Sequence, residues 1–220
     1  VKRSAAASGF DDVAQCEAIF NEQGIPSYDR YLALSTRDYN GMASNLAGRQ
    51  NMTDLPKEAY RRAYVGMIAS FDTYKLDYAN RQAAAAGGAG ITIDTRDAAV
   101  NYYIPKATST SVGGKINVDN RYQTVTVSST ANVAAGDAFT IAAVNAVHHI
   151  TKGDTGQLKT FRVISVDSGT TMTISPPIIS NQVANSAAAQ YQNCVVNTKS
   201  ATSAIVFLNT VAGYVNPFWQ

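Results

Sequence analysis

The chain of 220 residues carries few charges, and they nearly cancel. Charged side chains make up 15% of it, and 18 basic against 16 acidic residues leave a formal net charge of +2. A surplus this small does not favour binding of nucleic acid by electrostatic attraction, so we expect no sequence-specific nucleic-acid partner. No apolar run approaches the ~20 residues of a membrane-spanning helix, so we expect no membrane partner either.

Cysteine and histidine are scarce, and their spacing does not suit a metal centre. Cys16 and Cys194 lie far apart in the sequence, and neither has a second cysteine or a histidine nearby. We interpret them as two buried free thiols, which fits folding in a reducing compartment. His148 and His149 are the two histidines, and neighbours on a strand point to opposite faces. We therefore predict a turn or surface role for them, and no metal or cofactor site.

The sequence also lacks two short motifs that are typical of nucleotide-binding proteins and hydrolases. It contains neither a G-x-x-x-x-G-K-[ST] phosphate loop nor a G-x-S-x-G nucleophile elbow. No nucleophile, base and metal ligand can be grouped from their spacing. We therefore predict that the protein is not an enzyme and has no catalytic residue.

The first 80 residues predict a mixture of helices and strands. A helix is predicted over "DDVAQCEAIFNEQG", with Asp11 and Asp12 at its N-cap and Gly24 as its stop. The segment "RYLALST" alternates as a short strand does, and "TRDYNGMASNLAG" predicts a second helix capped by Thr36 or Asp38.

The next segment, "LPKEAYRRAYVGMIASFDTYKL", is predicted to change from helix to strand. Pro56 suits the first turn of a helix, and the residues from Val65 to Tyr74 look like a strand. After it, "RQAAAAGGAG" breaks the pattern, and we place a domain boundary there.

Nearly all later segments predict β-structure. Stretches such as "QTVTVSS", "DAFTIAAV", "KTFRVISV" and "TMTISPPI" alternate, and glycine-containing turns separate them. This spacing is typical of a small antiparallel barrel or sandwich, and the later return of alanine-rich segments suggests a β-domain inserted into a host domain. We predict boundaries at 1–79, 80–208 and 209–220.

A polar triplet lies inside one of these β-segments, "GGKINVDNRYQTVTVSST". Asp119 and Arg121 are two residues apart, so on a strand they share a face. No partner acid, base or pocket supports a catalytic interpretation. A local ion pair at a strand end and a contact with another subunit both remain open, because an arginine fork and a carboxylate also orient protein interfaces.

Several stretches together resemble the major coat proteins of tailed bacteriophages. "EAIFNEQGIPSYDRYLALSTRDY" and "YVGMIASFDTYKL" are similar to segments found widely among them. "GGKINVDNRYQTVTVSSTANVAAGDAFTIAAV" more specifically resembles the coat protein of short-tailed phages of Salmonella and related enteric bacteria. "KTFRVISVDSGTTMTISPPII", "AQYQNCVVNT" and the closing "NPFW" continue the likeness in the same order. The resemblance covers nearly the whole chain and is most specific from Gly113 to Pro177.

The resemblance implies an α+β fold. It is the tailed-phage capsid fold of phage Hong Kong type, whose central domain is interrupted by a six-stranded antiparallel β-barrel, the I-domain. In the family an N-terminal arm, an extended loop and a spine helix precede the region that residues 9 to 76 resemble. We therefore expect this chain, which starts at Val1, to be a fragment without them.

The family also implies a contact loop in the inserted domain, which reaches a neighbouring capsomer across a local two-fold axis. Acidic residues of that loop pair with basic residues opposite. By position it corresponds to "YIPKATSTSVGGK", Tyr103 to Lys115, whose only charges are lysines. Lysines that meet acids on the neighbour, or hydroxyl and backbone contacts, are the alternatives. The candidate contact residues are Tyr103, Pro105, Lys106, Thr108, Ser109 and Lys115.

The resemblance implies a structural protein that self-assembles into an icosahedral capsid around phage DNA. Its partners are then copies of itself in hexamers and pentamers, a scaffolding protein and a portal, and it is located in the virion after assembly in the bacterial host cytoplasm. The inserted domain is expected to aid subunit folding, shell-size control and contacts between capsomers. The alternative is a β-sandwich binding or adhesion module of a surface protein, which the Thr/Ser-rich strands would suit.

Overall fold

A computed structural model describes residues 9–48, 65–87, 90–93, 105–110, 116–180, 191–196, 203–215 and 218–219. The contacts divide the chain into two compact units: Ala85–Thr210, and the described residues up to Ala84 and from Val211 onward. We call them the strand unit and the helix–sheet unit. Helix and sheet are mixed and most strand pairs are antiparallel, as predicted. The family-specific fold and the domain boundaries remain predictions.

The helix–sheet unit contains both helices of the described residues and six short strands. The elements are α1 (Phe10–Glu22), β1 (Arg30–Ser35), α2 (Thr36–Ala47), β2 (Met67–Ile68), β3 (Phe71–Leu76), β4 (Arg81–Gln82), and, after the strand unit, β12 (Gly213–Tyr214) and β13 (Phe218–Trp219).

Helix α1 is confirmed, but its predicted N-cap is wrong. Gly9 occupies the cap position without a side-chain bond, and Asp11 and Asp12 lie in the first turn, where they still favour the positive helix end. The backbone N–H of Phe10 donates instead to Oδ1 of Asn45 in α2, at 3.3 Å. The first turn is therefore capped by a tertiary contact, which local spacing does not reveal.

Helix α2 is confirmed and ends at Gly48, as predicted. Its cap is neither Thr36 nor Asp38. The hydroxyl of Ser35 accepts a hydrogen bond from the N–H of Asp38 at 3.2 Å. Ser35 is also the last residue of β1, so the strand turns directly into the helix without a loop.

The main sheet of the helix–sheet unit has the order β13-β1-β3-β2, with β1 and β3 parallel. Leu32, Leu34 and Phe71 belong to its core cluster with the apolar faces of both helices. The strand predicted from Val65 to Tyr74 is instead split into β2 and β3. Ala69 and Ser70 form the turn between them with left-handed φ angles of 44° and 61°. The helix start predicted at Pro56 lies outside the described residues.

Arg30 is a buried cation in this unit, with 1% of its surface exposed. Its guanidinium donates to four oxygens at 2.6 to 3.2 Å, those of the Ile25 and Pro26 carbonyls, the Asn21 amide and the Ser70 hydroxyl. It thereby connects the end of α1, the following loop and the β2–β3 turn.

The described residues of the strand unit form a seven-stranded antiparallel sheet in the order β10-β7-β8-β9-β6-β5, with β11 also paired to β7. They are β5 (Pro105–Thr110), β6 (Ile116–Thr126), β7 (Ala138–Val147), β8 (Asp154–Val166), β9 (Thr171–Ser175), β10 (Cys194–Val196) and β11 (Ile205–Phe207). The predicted antiparallel β-architecture is confirmed. Closure into a six-stranded barrel remains a prediction.

One cluster of aliphatic and aromatic side chains forms the core of the strand unit. Phe139, Ile141 and Phe161 are fully buried in it, and the Phe139 and Phe161 rings stack at 5.8 Å. Strand β7 carries two partners along one edge: β11 pairs with its first part and β10 with its second. Ala143, with a φ of 62°, lies between these two parts, where the pairing with β8 is also irregular.

Candidate intersubunit arm

The described part of the segment predicted as a contact loop is a strand. Residues 105–110 form β5, which pairs antiparallel with β6. Threonine is β-branched and favours strands, so the expectation of a loop over residues 105–110 is wrong. The backbone places Pro105, Lys106, Thr108 and Ser109 on β5, while Tyr103 and Lys115 lie outside the described residues.

Strand β6 is longer than the part of it that pairs with β9. Its pairing with β9 runs from Gln123 to Thr126, whereas its pairing with β5 extends back to Ile116. We call β5 together with residues 116–122 of β6 the arm. Because the arm lies beyond the β9 ladder, it is a two-stranded extension of the sheet among the described residues. This geometry presents backbone and side chains to a neighbour better than a sheet interior does.

The structure places Asp119 and Arg121 within β6 and not at its end, and the local ion pair and the contact with another subunit both stay predictions. The Cα register sets Asp119 opposite Lys106 of β5. Opposed positions in an antiparallel pair are the ones at which opposite charges stabilise a hairpin. Arg121 is exposed, and its guanidinium carbon lies 5.3 Å from the ring centroid of Tyr122.

Gln123 anchors the base of the arm, and the sequence interpretation missed it. This side chain is 2% exposed, and its Oε1 accepts a hydrogen bond from the N–H of Ile178 at 2.7 Å. The sequence does contain a signal for its burial. Gln123 alternates with Val125 and Val127 along the chain, so on a strand it shares their face, which points into the core. A polar residue at an inward strand position needs a buried partner, and the Ile178 amide provides it.

The two ends of the strand unit are hydrogen-bonded to each other. The N–H of Ala85 donates to the carbonyl of Asn209 at 2.7 Å. Within the helix–sheet unit the flanking segments also pair, because β4 and β12 form an antiparallel ladder. We call the chain that enters the strand unit the outgoing segment and the chain that leaves it the returning segment. The two segments are therefore hydrogen-bonded to each other within each unit.

The thiols and histidines take the predicted structural roles. Cys16 and Cys194 are buried and free, and burial raises the pKa of Cys16 to about 11 and that of Cys194 to about 12. Nδ1 of His148 accepts from the N–H groups of Ile150 and Thr151, which holds the turn between β7 and β8. No group of three or more metal-ligating side chains occurs among the described residues.

Comparison with known proteins identifies a protein family whose sequence model matches this chain. A family model described as "P22 coat protein - gene protein 5" matches residues 1–220. A solved structure of the CUS-3 coat protein I-domain is 40% identical over 56% of this chain and 99% of its own, with a TM-score of 0.38. A chain from the capsid structure of the Cyanophage P-SCSP1u is 14% identical over 97% of this chain, with a TM-score of 0.25. This chain covers 49% of that one, about half of its length. None of the described helices is long and apolar enough to span a membrane.

Proposed function

The chain belongs to the P22 coat protein family, and on that premise we propose how its two units serve a capsid subunit. As a member of the family it is a structural capsid protein of a bacteriophage virion, which assembles with copies of itself into a shell. The adhesion-module alternative is therefore not supported. Within the subunit, the strand unit and the helix–sheet unit have different proposed roles.

The strand unit, Ala85–Thr210, corresponds in this proposal to the inserted I-domain, for which the sequence predicted residues 80–208, and the flanking residues correspond to the central domain. The observation that carries it is the hydrogen bond from Ala85 to the Asn209 carbonyl at 2.7 Å. A compact β-domain whose two ends meet can be inserted into a host domain without separating the host's halves. It also lowers the loop-closure cost of pairing those halves, because a long connection behaves as a short one once the insert has folded. Closure of the strands into a six-stranded barrel belongs to the same proposal.

The arm is proposed to contact a neighbouring capsomer. It extends past the β9 ladder, and the segment from Tyr103 to Lys115 carries lysines as its only charges. The register offers Lys106 a carboxylate in its own chain, Asp119, in competition with an acid on the neighbour. Hydroxyl and backbone contacts from Thr108 and Ser109 would then contribute alongside Lys115. Many such modest contacts, repeated over the hexamers and pentamers of a closed shell, suffice for assembly.

A scaffolding protein and a portal are proposed as further partners, with assembly in the host cytoplasm. These follow from the likeness to coat proteins of short-tailed enteric phages. The same likeness supports roles for the strand unit in subunit folding and in setting shell size.

Electron microscopy of the assembling coat protein tests the arm. We expect Lys106→Ala with Lys115→Ala to reduce the yield or heat resistance of closed shells, with an unchanged circular dichroism spectrum. Lys152→Ala, in the β7–β8 turn outside the arm, is the matched control and should assemble normally. Normal shells from the double variant, or loss of its β-structure, would count against an intersubunit role.

A further inference from the structure

Asp137, directly before β7, and Asn209, at the end of the strand unit, are 72 positions apart in the sequence and form a side-chain pair. Asp137 is 3% exposed, and its Oδ1 accepts from Nδ2 of Asn209 at 2.9 Å. Its Oδ2 accepts from the N–H of Ala134 at 2.9 Å, while Oδ1 of Asn209 accepts from the N–H of Ala138 at 3.1 Å. We call Asp137 and Asn209 the clasp.

One half of the clasp is fixed to the interior of the sheet. The backbone carbonyl of Asp137 accepts from the N–H of Val163 in β8 at 2.8 Å, and the Val163 carbonyl accepts from Gly136 at 2.8 Å. Asp137 therefore has little freedom to move while β7 and β8 remain paired.

The other half of the clasp holds both ends of the unit. Leu208 donates its N–H to the Ala138 carbonyl at 2.7 Å, which runs the returning segment alongside the start of β7. The carbonyl of Asn209 in turn accepts from Ala85 at 2.7 Å. Ala85 is thus bonded to Asn209, and Asn209 is bonded to Asp137, while Ile91 and Ile93 are bonded separately to Ile205 and Ser203.

We propose that the clasp is a closing device, whose opening releases both ends of the strand unit while its sheet stays folded. Asp137 and Asn209 are positioning residues in this proposal, because they act through the backbone of Ala85 and Leu208. The proposal deepens the proposed function and rests on the strand unit being an insertion whose ends must be held together. Opening of the clasp would lengthen the connection that the flanking segments must close, because the next bond between the two ends is the one from Ile205 to the Ile91 carbonyl.

The chemistry of the clasp makes a reciprocal test possible. The carboxylate and the amide each accept a backbone N–H through one oxygen, and the amide N–H joins them. Exchanging the two side chains, as Asp137→Asn with Asn209→Asp, keeps both backbone acceptors and reverses the donor between them. Asn209→Asp alone sets two carboxylates against each other and loses the central bond. Asp137→Asn alone leaves one acceptor for two donors, so either the central bond or the bond from Ala134 is lost.

Residue-resolved amide hydrogen exchange on the full chain is the measurement. In Asn209→Ala we expect exchange at Ala85, Ala138 and Leu208 to accelerate roughly tenfold, because one net hydrogen bond is worth about that factor in a local opening equilibrium. Amides of β9 should keep their rates. The nearly isosteric Asn209→Asp should show the same local pattern, Asp137→Asn should accelerate exchange either there or at Ala134, and the exchanged pair should restore protection at both places.

Asn145→Ala is the matched control, because Nδ2 of Asn145 also donates to an aspartate, Oδ2 of Asp154, at 3.2 Å, but within the exposed part of the β7–β8 hairpin. It should leave Ala85 and Leu208 unchanged. Unchanged rates at the clasp, equal acceleration in β9, or failure of the exchanged pair to restore protection would overturn the proposal. Failure of the wild-type chain to form shells, with the clasp protected, would count against the proposed function and leave the clasp intact.

Discussion

At the scale of single residues, Arg30 shows how a buried charge is tolerated when no carboxylate among the described residues accepts a hydrogen bond from it directly. Its guanidinium carbon lies 5.5 Å from the ring centroid of Phe20 and 5.8 Å from that of Phe71. The hydroxyl of Ser70, which accepts from the guanidinium, donates onward to a carboxylate oxygen of Glu17 at 3.2 Å. Carbonyl dipoles, ring faces and this indirect link together replace the water that the cation loses on burial.

We expect Arg30→Met to lower the free energy of unfolding of the helix–sheet unit by roughly 2–4 kcal/mol, since several buried acceptors lose their donor. Arg30→Lys should recover only part of this, because an ammonium does not reproduce the planar fork. Urea unfolding followed by circular dichroism measures both. The exposed Arg37 provides the control, and an equal loss in Arg37→Met would show that burial is not the cause.

The two thiols predict a loss of stability at alkaline pH. Burial raises the pKa of Cys16 to about 11 and of Cys194 to about 12, from an ordinary value of 9.0. The unfolded chain ionises first, so stability from these groups is complete below about pH 8 and is lost as the pH rises through 9 towards 11–12. We expect Cys16→Ala with Cys194→Ala to flatten this part of the stability profile in urea titrations from pH 7 to 10. An unchanged slope would contradict the role of the thiols.

At the scale of elements, Gly87 sets how closely the outgoing segment approaches β11. A Cβ atom added there would lie 2.6 Å from the Phe207 ring, which packs against the core cluster of the strand unit. The ring cannot retreat freely, because its centroid is 6.1 Å from that of Phe139.

We therefore expect Gly87→Ala to destabilise the strand unit by roughly 1–3 kcal/mol through overpacking. Gly169→Ala is the control, because a Cβ on Gly169 meets no atom within 4 Å. The melting temperatures of both variants, measured by thermal unfolding, test this expectation. A melting temperature for Gly87→Ala equal to that of the control would show that the ring yields without cost.

At the scale of the whole molecule, the division into two units predicts a protease-resistant core. We expect limited proteolysis to release a fragment close to residues 80–209 that retains an all-β circular dichroism spectrum, because its own cluster and ladders lie within it. Mass spectrometry of the fragment gives its ends. Cleavage spread evenly through the strand unit would contradict its autonomy.

Sequence reasoning reached the helices, the change to β-structure and the family, because these depend on local spacing and on long matching stretches. It missed the Asn45 contact that caps α1, the Ser35 cap of α2 and the strand within residues 105–110. Each of these depends on a partner distant in the chain or on a one-residue choice between adjacent polar side chains. The candidate contact residues remain a prediction, because contacts between subunits can be tested only in an assembly of several chains.

The sequence by itself determined the elements, the buried thiols, the turn histidines and the coat-protein family, because periodicity, residue type and resemblance are properties of the chain. Only the tertiary structure decided that residues 105–110 pair with β6, that Lys106 lies opposite Asp119, and that Asp137 meets Asn209. These pairings join residues that no local pattern connects. They form only when folding brings distant segments of the chain together, so that backbone and side-chain polar groups find partners far away in the sequence.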